Sequence, residues 1–260
     1  IGDPTPEPET EPKQPDKQSF KILHSDAGYL GDLLSVFKTI TIEEATINLD
    51  DNGLWIRELD PSHIALINLA IPKFSLDEYR LSAETQTHLN ITDLVKLLKK
   101  SDKGDGAILE RTGDKIIPKF TLKLFGHYTM NFNIPEFDER NGDIPPTPNV
   151  KLDGKARVAL ATFYKALKKL ESETQNIKLS VDQEKLAVSY ESGQAEFDNS
   201  SEAILGLEGH ATAKYSLAYL MPFLKELQKT TSVITLELGD NLPLKVTSEL
   251  PNREKLEYLL

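Results

Sequence analysis

The chain contains itself twice. Residues 91–124, ITDLVKLLKK…AILERTGDKIIPKFTLKL, line up with residues 216–250, SLAYLMPFLKELQK…VITLELGDNLPLKVTSEL. Each copy runs helix, strand, a Gly-Asp turn (Gly113-Asp114 and Gly239-Asp240), then a strand entered through a proline, Pro118 or Pro243. More weakly, INLDDNGLWI (47–56) shares its pattern with IKLSVDQEKLAV (177–188). A duplication at a period of roughly half the chain calls for two similar domains, each with two helices and many strands. The expected fold class is therefore α+β. The expected divisions are a tail at 1–19, a first domain at 20–124, a connector at 125–150 and a second domain at 151–260. NGDIPPTPN (141–149) carries the Pro and Gly signals of a linker.

Local patterns fill in the elements. ATINLD (45–50), GLWIREL (53–59) and HIALINLA (63–70) are rich in β-branched and aromatic residues and read as strands. DNG at 51–53 predicts a hairpin, because Asn and Gly accept positive φ. Helices are expected at 26–38, 92–101, 161–171 and 217–229, with Thr92 as an N-cap and Ile91, Leu94, Val95 and Leu98 sharing one apolar face.

With 39% hydrophobic and 27% charged residues, a chain of this length can bury a substantial core. No apolar run approaches the ~18–20 residues that span a bilayer. The absence of cysteine excludes a disulfide scaffold, a Cys-ligated zinc and a cysteine nucleophile, and suits a reducing intracellular compartment. The first 19 residues, with five prolines and five acids, hold too little apolar surface to offset ordering entropy, and a disordered tail or processing remnant is expected there.

A net charge of −11 argues against indiscriminate adhesion to nucleic acid or anionic lipid, yet it leaves room for a local basic surface. KLLKK (96–100), KALKK (165–169) and KELQK (225–229) supply one. At about 100° per residue, Lys96, Lys99 and Lys100 fall within a narrow arc opposite the apolar residues. Lys165, Lys168 and Lys169 repeat this arc, and Lys225 and Lys229 take matching positions on the last helix. One such face is commonly a solvated one; recurrence on three of four helices in an acidic chain favours a functional surface. Lysine is a flexible point charge suited to phosphate, whereas arginine is the usual bidentate reader of bases. The faces therefore suit sequence-blind contact with a nucleic-acid backbone.

Other chemistry finds little support. Asp60, Ser62 and His63 are neighbours on a turn, whereas catalytic triads assemble from distant segments. His24, His63, His88, His127 and His210 lack metal-ligand spacing, and GDG (104–106) lacks the rest of a nucleotide fingerprint. Glu136, Asp138, Glu139 and Asp143 read as a solvated loop rather than a metal site. No enzyme, metal or cofactor is expected.

Taken in order, DNGLWIRELDPSHIALINL (51–69), LNITDLVKLLKK, FNIPE (132–136), LPLKV (242–246) and the closing KLEYLL (255–260) resemble the DNA sliding clamps of the archaeal and eukaryotic type, the proliferating cell nuclear antigen family. The resemblance spans about residues 20–260. It implies a DNA-clamp fold of two like domains with curved antiparallel sheets, three subunits closing head to tail into a ring, and helices lining the hole. It implies a processivity factor that encircles duplex DNA and tethers DNA polymerase, flap nuclease and DNA ligase through peptide motifs, opened by a separate clamp loader. Such a protein is intracellular, in the cytoplasm or nucleoid of an archaeon or the nucleus of a eukaryote.

Residue by residue, the resemblance assigns DNA contact to Lys96, Lys99, Lys165, Lys168 and Lys225, with Lys100, Lys169, Lys229 and Lys38 extending the faces. It assigns peptide docking to Leu59, Ile64, Leu66, Phe132, Ile134, Pro243 and Leu259, with His63 and Tyr258 beside them and Phe137 as an extension. Subunits would pair a strand near 117–124 with one near 193–199. Two departures stand out. The resemblance implies a homotrimer; the first helix has Gly31 and Asp32 where the family shows basic residues, which leaves a subunit of a mixed or checkpoint-type ring as the alternative. The chain also stops at Leu260, where relatives continue through an Ala-Pro pair of the docking surface; truncation of this end is one reading. A peptide-binding scaffold that never encircles DNA is the remaining alternative.

Overall fold

The computed structural model describes residues 19–112, 119–138, 146–148 and 150–260. Most of the tail, the Gly113-Asp114 turn, Pro118, Glu139, Asp143 and most of NGDIPPTPN lie outside the described residues.

The duplication is the organising fact of the fold. The first half runs β1 (Phe20–His24), α1 (Ala27–Ser35), β2 (Glu44–Asp50), β3 (Gly53–Leu59), β4 (Leu66–Pro72), β5 (Glu78–Leu81) and β6 (Thr85–Asn90). It continues through α2 (Ile91–Leu98), β7 (Gly106–Thr112), β8 (Lys119–Phe125) and β9 (Thr129–Ile134). The second half repeats the series with β10 (Gly154–Ala159), α3 (Leu160–Leu170), β11 (Asn176–Val181), β12 (Lys185–Tyr190), β13 (Gly193–Asp198), β14 (Ile204–Gly209) and β15 (Ala211–Ser216). It closes with α4 (Leu217–Leu227), β16 (Val233–Leu238), β17 (Lys245–Ser248) and β18 (Lys255–Leu259).

Hydrogen bonds repeat with the elements. The first N–H of α1 donates to Asp105 O and that of α3 to Ser232 O, each just before the seventh strand of its half. Likewise Ile91 N of α2 donates to Glu43 O, and Leu217 N of α4 to Gln175 O. Every helix therefore satisfies a terminal donor on a fixed neighbour, which sets its position on the sheet.

Each half holds a five-stranded and a four-stranded antiparallel sheet. In the first half the orders are β5-β1-β7-β8-β9 and β4-β3-β2-β6; in the second, β14-β10-β16-β17-β18 and β13-β12-β11-β15. The halves fuse where β18 pairs antiparallel with β4, from Lys255 opposite Ala70 to Leu259 opposite Leu66, making one nine-stranded sheet. The apolar faces of the helices (Leu30, Leu33, Leu94, Leu98, Phe163, Leu167, Phe223, Leu224) close the core against the sheets. The alternation read as strands is the burial alternation of β2 and β3, inward and outward by turns.

Some expectations are corrected. Asn90, not Thr92, caps α2, because its side chain accepts from Asp93 N at 2.8 Å. The strand expected from residue 63 begins at Leu66, since Asp60 accepts from Ser62 N (2.9 Å), Ile64 N (2.5 Å) and Ala65 N (2.6 Å) and holds that stretch as a turn. The DNG hairpin forms, with Gly53 rather than Asn52 at positive φ: Gly53 has φ 143°, and a Cβ there would stand 2.2 Å from Ile71 O. Residues 129–134, taken as connector, form strand β9 in full register with β8. Their polar–apolar alternation is a strand signal that the turn residues before it obscured.

Candidate functional site

The four helices form one layer. α1 packs on α2, α3 on α4, and α4 on α1 and the 3-10 turn that follows it, Val36–Ile40. All nine lysines assigned to DNA contact are exposed on this layer or its helix ends. The turn after α1 brings Lys38 among lysines from two other helices. Burial pushes its ammonium below the ordinary lysine range; Lys96, Lys229 and Lys99 add to that push, and Glu226 opposes it. Burial is the largest cause of the shift, and the three lysines stand near enough to add to it. Lys38, expected within the first helix, lies instead on the 3-10 turn beyond it.

Carboxylates thread the same face. Lys96 bonds Asp93 at 2.9 Å, Lys168 bonds Glu171 at 2.6 Å, Lys229 pairs with Glu226, and Lys99 pairs with Asp32 of α1. Asp32, which replaces a base in the expected pattern, therefore neutralises a lysine of the neighbouring helix. Lys100 lies 5.2 Å from the ring centroid of Phe132, a cation–π distance.

The second site gathers at one end of the β18–β4 seam. Leu59 pairs with Leu66, and Leu66 with Leu259, so three leucines stand side by side across β3, β4 and β18. Exposed Ile64 and His63 lie on the turn held by Asp60, and His63 takes φ 58°. Pro243 is half-buried beside Leu244, whose N–H and C=O exchange bonds with Leu260 at 2.8 and 2.9 Å. Exposed Leu242 precedes Pro243, and this end of the seam carries two exposed apolar side chains, Ile64 and Leu242; the place of Leu242 before a proline in a polar turn was the signal in the sequence.

Leu66 and Leu259 are themselves buried and support this surface from beneath, and three further assigned residues lie away from it. Tyr258 is fully buried, stacks on Phe223 with centroids 4.1 Å apart, and donates to Tyr219 O at 3.1 Å. It neighbours Leu259 on a strand, so its side chain faces the opposite side of the sheet. Phe132 and Ile134 sit on β9 in the other sheet, opposite Leu122 and Phe120, and Ile134 is buried. Past them the chain is anchored by Glu136, which accepts two bonds of 3.0 Å from the buried Arg111 guanidinium. Exposed Phe137 packs edge-on to His88. Asp60, Ser62 and His63 make no triad: Asp60 is buried and its oxygens serve backbone N–H groups. Among the described residues no cluster of His, Cys, Asp and Glu could hold a metal ion.

Comparison with known proteins agrees with this architecture. Residues 20–123 match the family described as proliferating cell nuclear antigen, N-terminal domain. The DNA polymerase sliding clamp 1 of Pyrobaculum aerophilum is 29% identical over 238 residues, covering 89% of this chain and 92% of that protein. The DNA polymerase sliding clamp of Thermofilum pendens is 25% identical over 246 residues, covering 92% and 97%. Among solved structures, the PCNA2–PCNA3 complex of Sulfolobus tokodaii superposes with a TM-score of 0.82 at 23% identity, covering 92% of this chain and 98% of that one. The PCNA of Thermococcus kodakaraensis gives 0.84 at 21% identity, covering 93% and 98%. The whole chain thus shares the fold of these clamps, and residues 20–123 carry the N-terminal domain of the proliferating cell nuclear antigen family.

Proposed function

We propose that the chain is a subunit of a DNA sliding clamp, a non-enzymatic processivity factor that encircles duplex DNA and tethers a DNA polymerase. The observation that carries this reading is the single helix layer with its converging lysines, in a chain whose net charge is −11. Lysine–phosphate contacts that read no sequence hold the duplex weakly enough to slide. Closure of the ring, rather than affinity, retains the protein on DNA, and tethering raises the local concentration of its partners.

The ring follows from the duplication. β18 and β4 occupy the same places in their halves as β9 and β13 do in theirs, and β18–β4 is paired. β9 and β13 are left as sheet edges. Pairing β9 of one copy with β13 of the next repeats the internal seam between molecules and covers both edges. β8, which contains most of the stretch first assigned to this contact, is flanked by β7 and β9 and has no free edge. Three copies in a ring is the closure we infer; flap nuclease, DNA ligase and a clamp loader are the further partners expected at the Ile64–Leu242 surface. A homotrimer is the ring we infer; a mixed ring is the alternative, suggested by Asp32, which lowers the positive charge this subunit presents.

The test is primer extension on a long template. Replacing Lys96, Lys99, Lys165, Lys168 and Lys225 by Ala should abolish stimulation of the polymerase while leaving partner-peptide binding intact. Undiminished stimulation would instead make the protein a scaffold that does not encircle DNA.

A further inference from the structure

The far end of the β18–β4 seam, where Lys255 meets Ala70, opens into a cavity of about 320 Å³. It is lined by residues of three segments: His24 at the end of β1 with Ser25, then Phe74, Ser75 and Asp77 after β4, and Pro251 to Arg253 before β18. Phe74 stands at its rim with 68% of its surface exposed, the most exposed large hydrophobic side chain among the described residues. Lys73, Arg253 and Lys255 flank it, all exposed and without a salt bridge among the described residues. Of the acids nearby, Asp77 accepts from Ser25 N at 2.6 Å, and buried Glu254 accepts from Asn252 N at 3.0 Å through one oxygen while its Oε1 has no partner. His24 forms part of the floor, 4% exposed. Its Nδ1 accepts from Asp26 N at 3.0 Å, so the neutral ring carries its hydrogen on Nε2, which is sealed and has no partner. A buried donor without an acceptor is uncommon in a folded protein and calls for an explanation.

We propose that this cleft is a second docking site, which takes a partner peptide presenting a carboxylate beside an apolar side chain. The apolar group covers Phe74, and the carboxylate meets Arg253, Lys73 and Lys255 in an otherwise acidic surface. The site lies at the opposite end of the seam from the Ile64–Leu242 surface, so two partners can be held on one subunit at once. The choice of an acidic peptide over a nucleic-acid strand rests on Asp77 and Glu254, whose charges beside the cavity disfavour a run of phosphates while leaving room for one carboxylate.

The test uses the full chain and a fluorescent octapeptide of alternating Glu and Leu, followed by anisotropy. The wild type should bind it, and Arg253→Glu and Phe74→Ser should each weaken binding at least tenfold with unchanged melting temperature. Gln-for-Glu and Ser-for-Leu versions of the peptide should fail to bind, and Ile64→Ser should have no effect. The proposal is overturned by no binding, by binding indifferent to Arg253 and Phe74, or by loss of binding with Ile64→Ser. Binding of an oligothymidylate that requires Phe74 would overturn it as well, because the cleft would then be a nucleic-acid site.

Discussion

At the scale of single residues, Asp60 and Tyr258 show how differently two residues can support one surface. Asp60 is buried and accepts three backbone N–H groups of the turn that presents His63 and Ile64. Asp60→Ala leaves those donors without acceptors, which costs about 1–3 kcal/mol for each that stays buried. It should lower the denaturation midpoint and also weaken binding of a docking peptide, measured by calorimetry. Tyr258→Phe removes one hydrogen bond, worth about 1 kcal/mol, and should leave peptide affinity unchanged, because that ring belongs to the core. The sequence misplaces Tyr258 because motif order along the chain says nothing of which sheet face a side chain takes. Only strand parity, counted from Leu259, settles it.

At the scale of elements, the helix face balances opposed charges. Asp32→Ala should free Lys99 and tighten DNA binding, whereas Lys38→Ala should weaken it and reduce the magnitude of the salt slope by up to about one unit. Salt titration of DNA affinity reads both. Glu226 gives the face a pH dependence. Burial alone would raise its carboxyl, but hydrogen bonds from Lys229 and Ser35 bring it below the ordinary range. A carboxyl depressed on folding contributes stability above its unfolded value, about 4.3, and that contribution is lost as pH falls through the folded value. Thermal melts of the wild type and Glu226→Gln should therefore converge in acid and separate toward neutrality. The elements themselves were legible in the sequence: the four helices, the 51–53 hairpin and the duplicated register all follow from periodicity and turn residues. What periodicity could not supply was partnership. β9 reads as a linker until its pairing with β8 is seen, and the lysine cluster around Lys38 draws on residues from three helical segments far apart in sequence.

At the scale of the whole molecule, the same seam serves twice, once inside the chain as β18–β4 and once between copies as β9–β13. The chain lacks cysteine, so a pair introduced at Asn131 and Gln194 would be its only thiols. Oxidation should link copies to one another and yield a covalent trimer on denaturing gels; a chain that links only to a relative would establish the mixed ring. The central claim is topological, and retention on DNA of different topology tests it most directly. The protein is loaded on a nicked circular plasmid, separated by gel filtration in high salt, and the plasmid is then cut once. The account predicts that the protein stays with the circle through the salt and leaves when the circle is opened. Loss of the protein from the uncut circle, or equal retention after cutting, would contradict it.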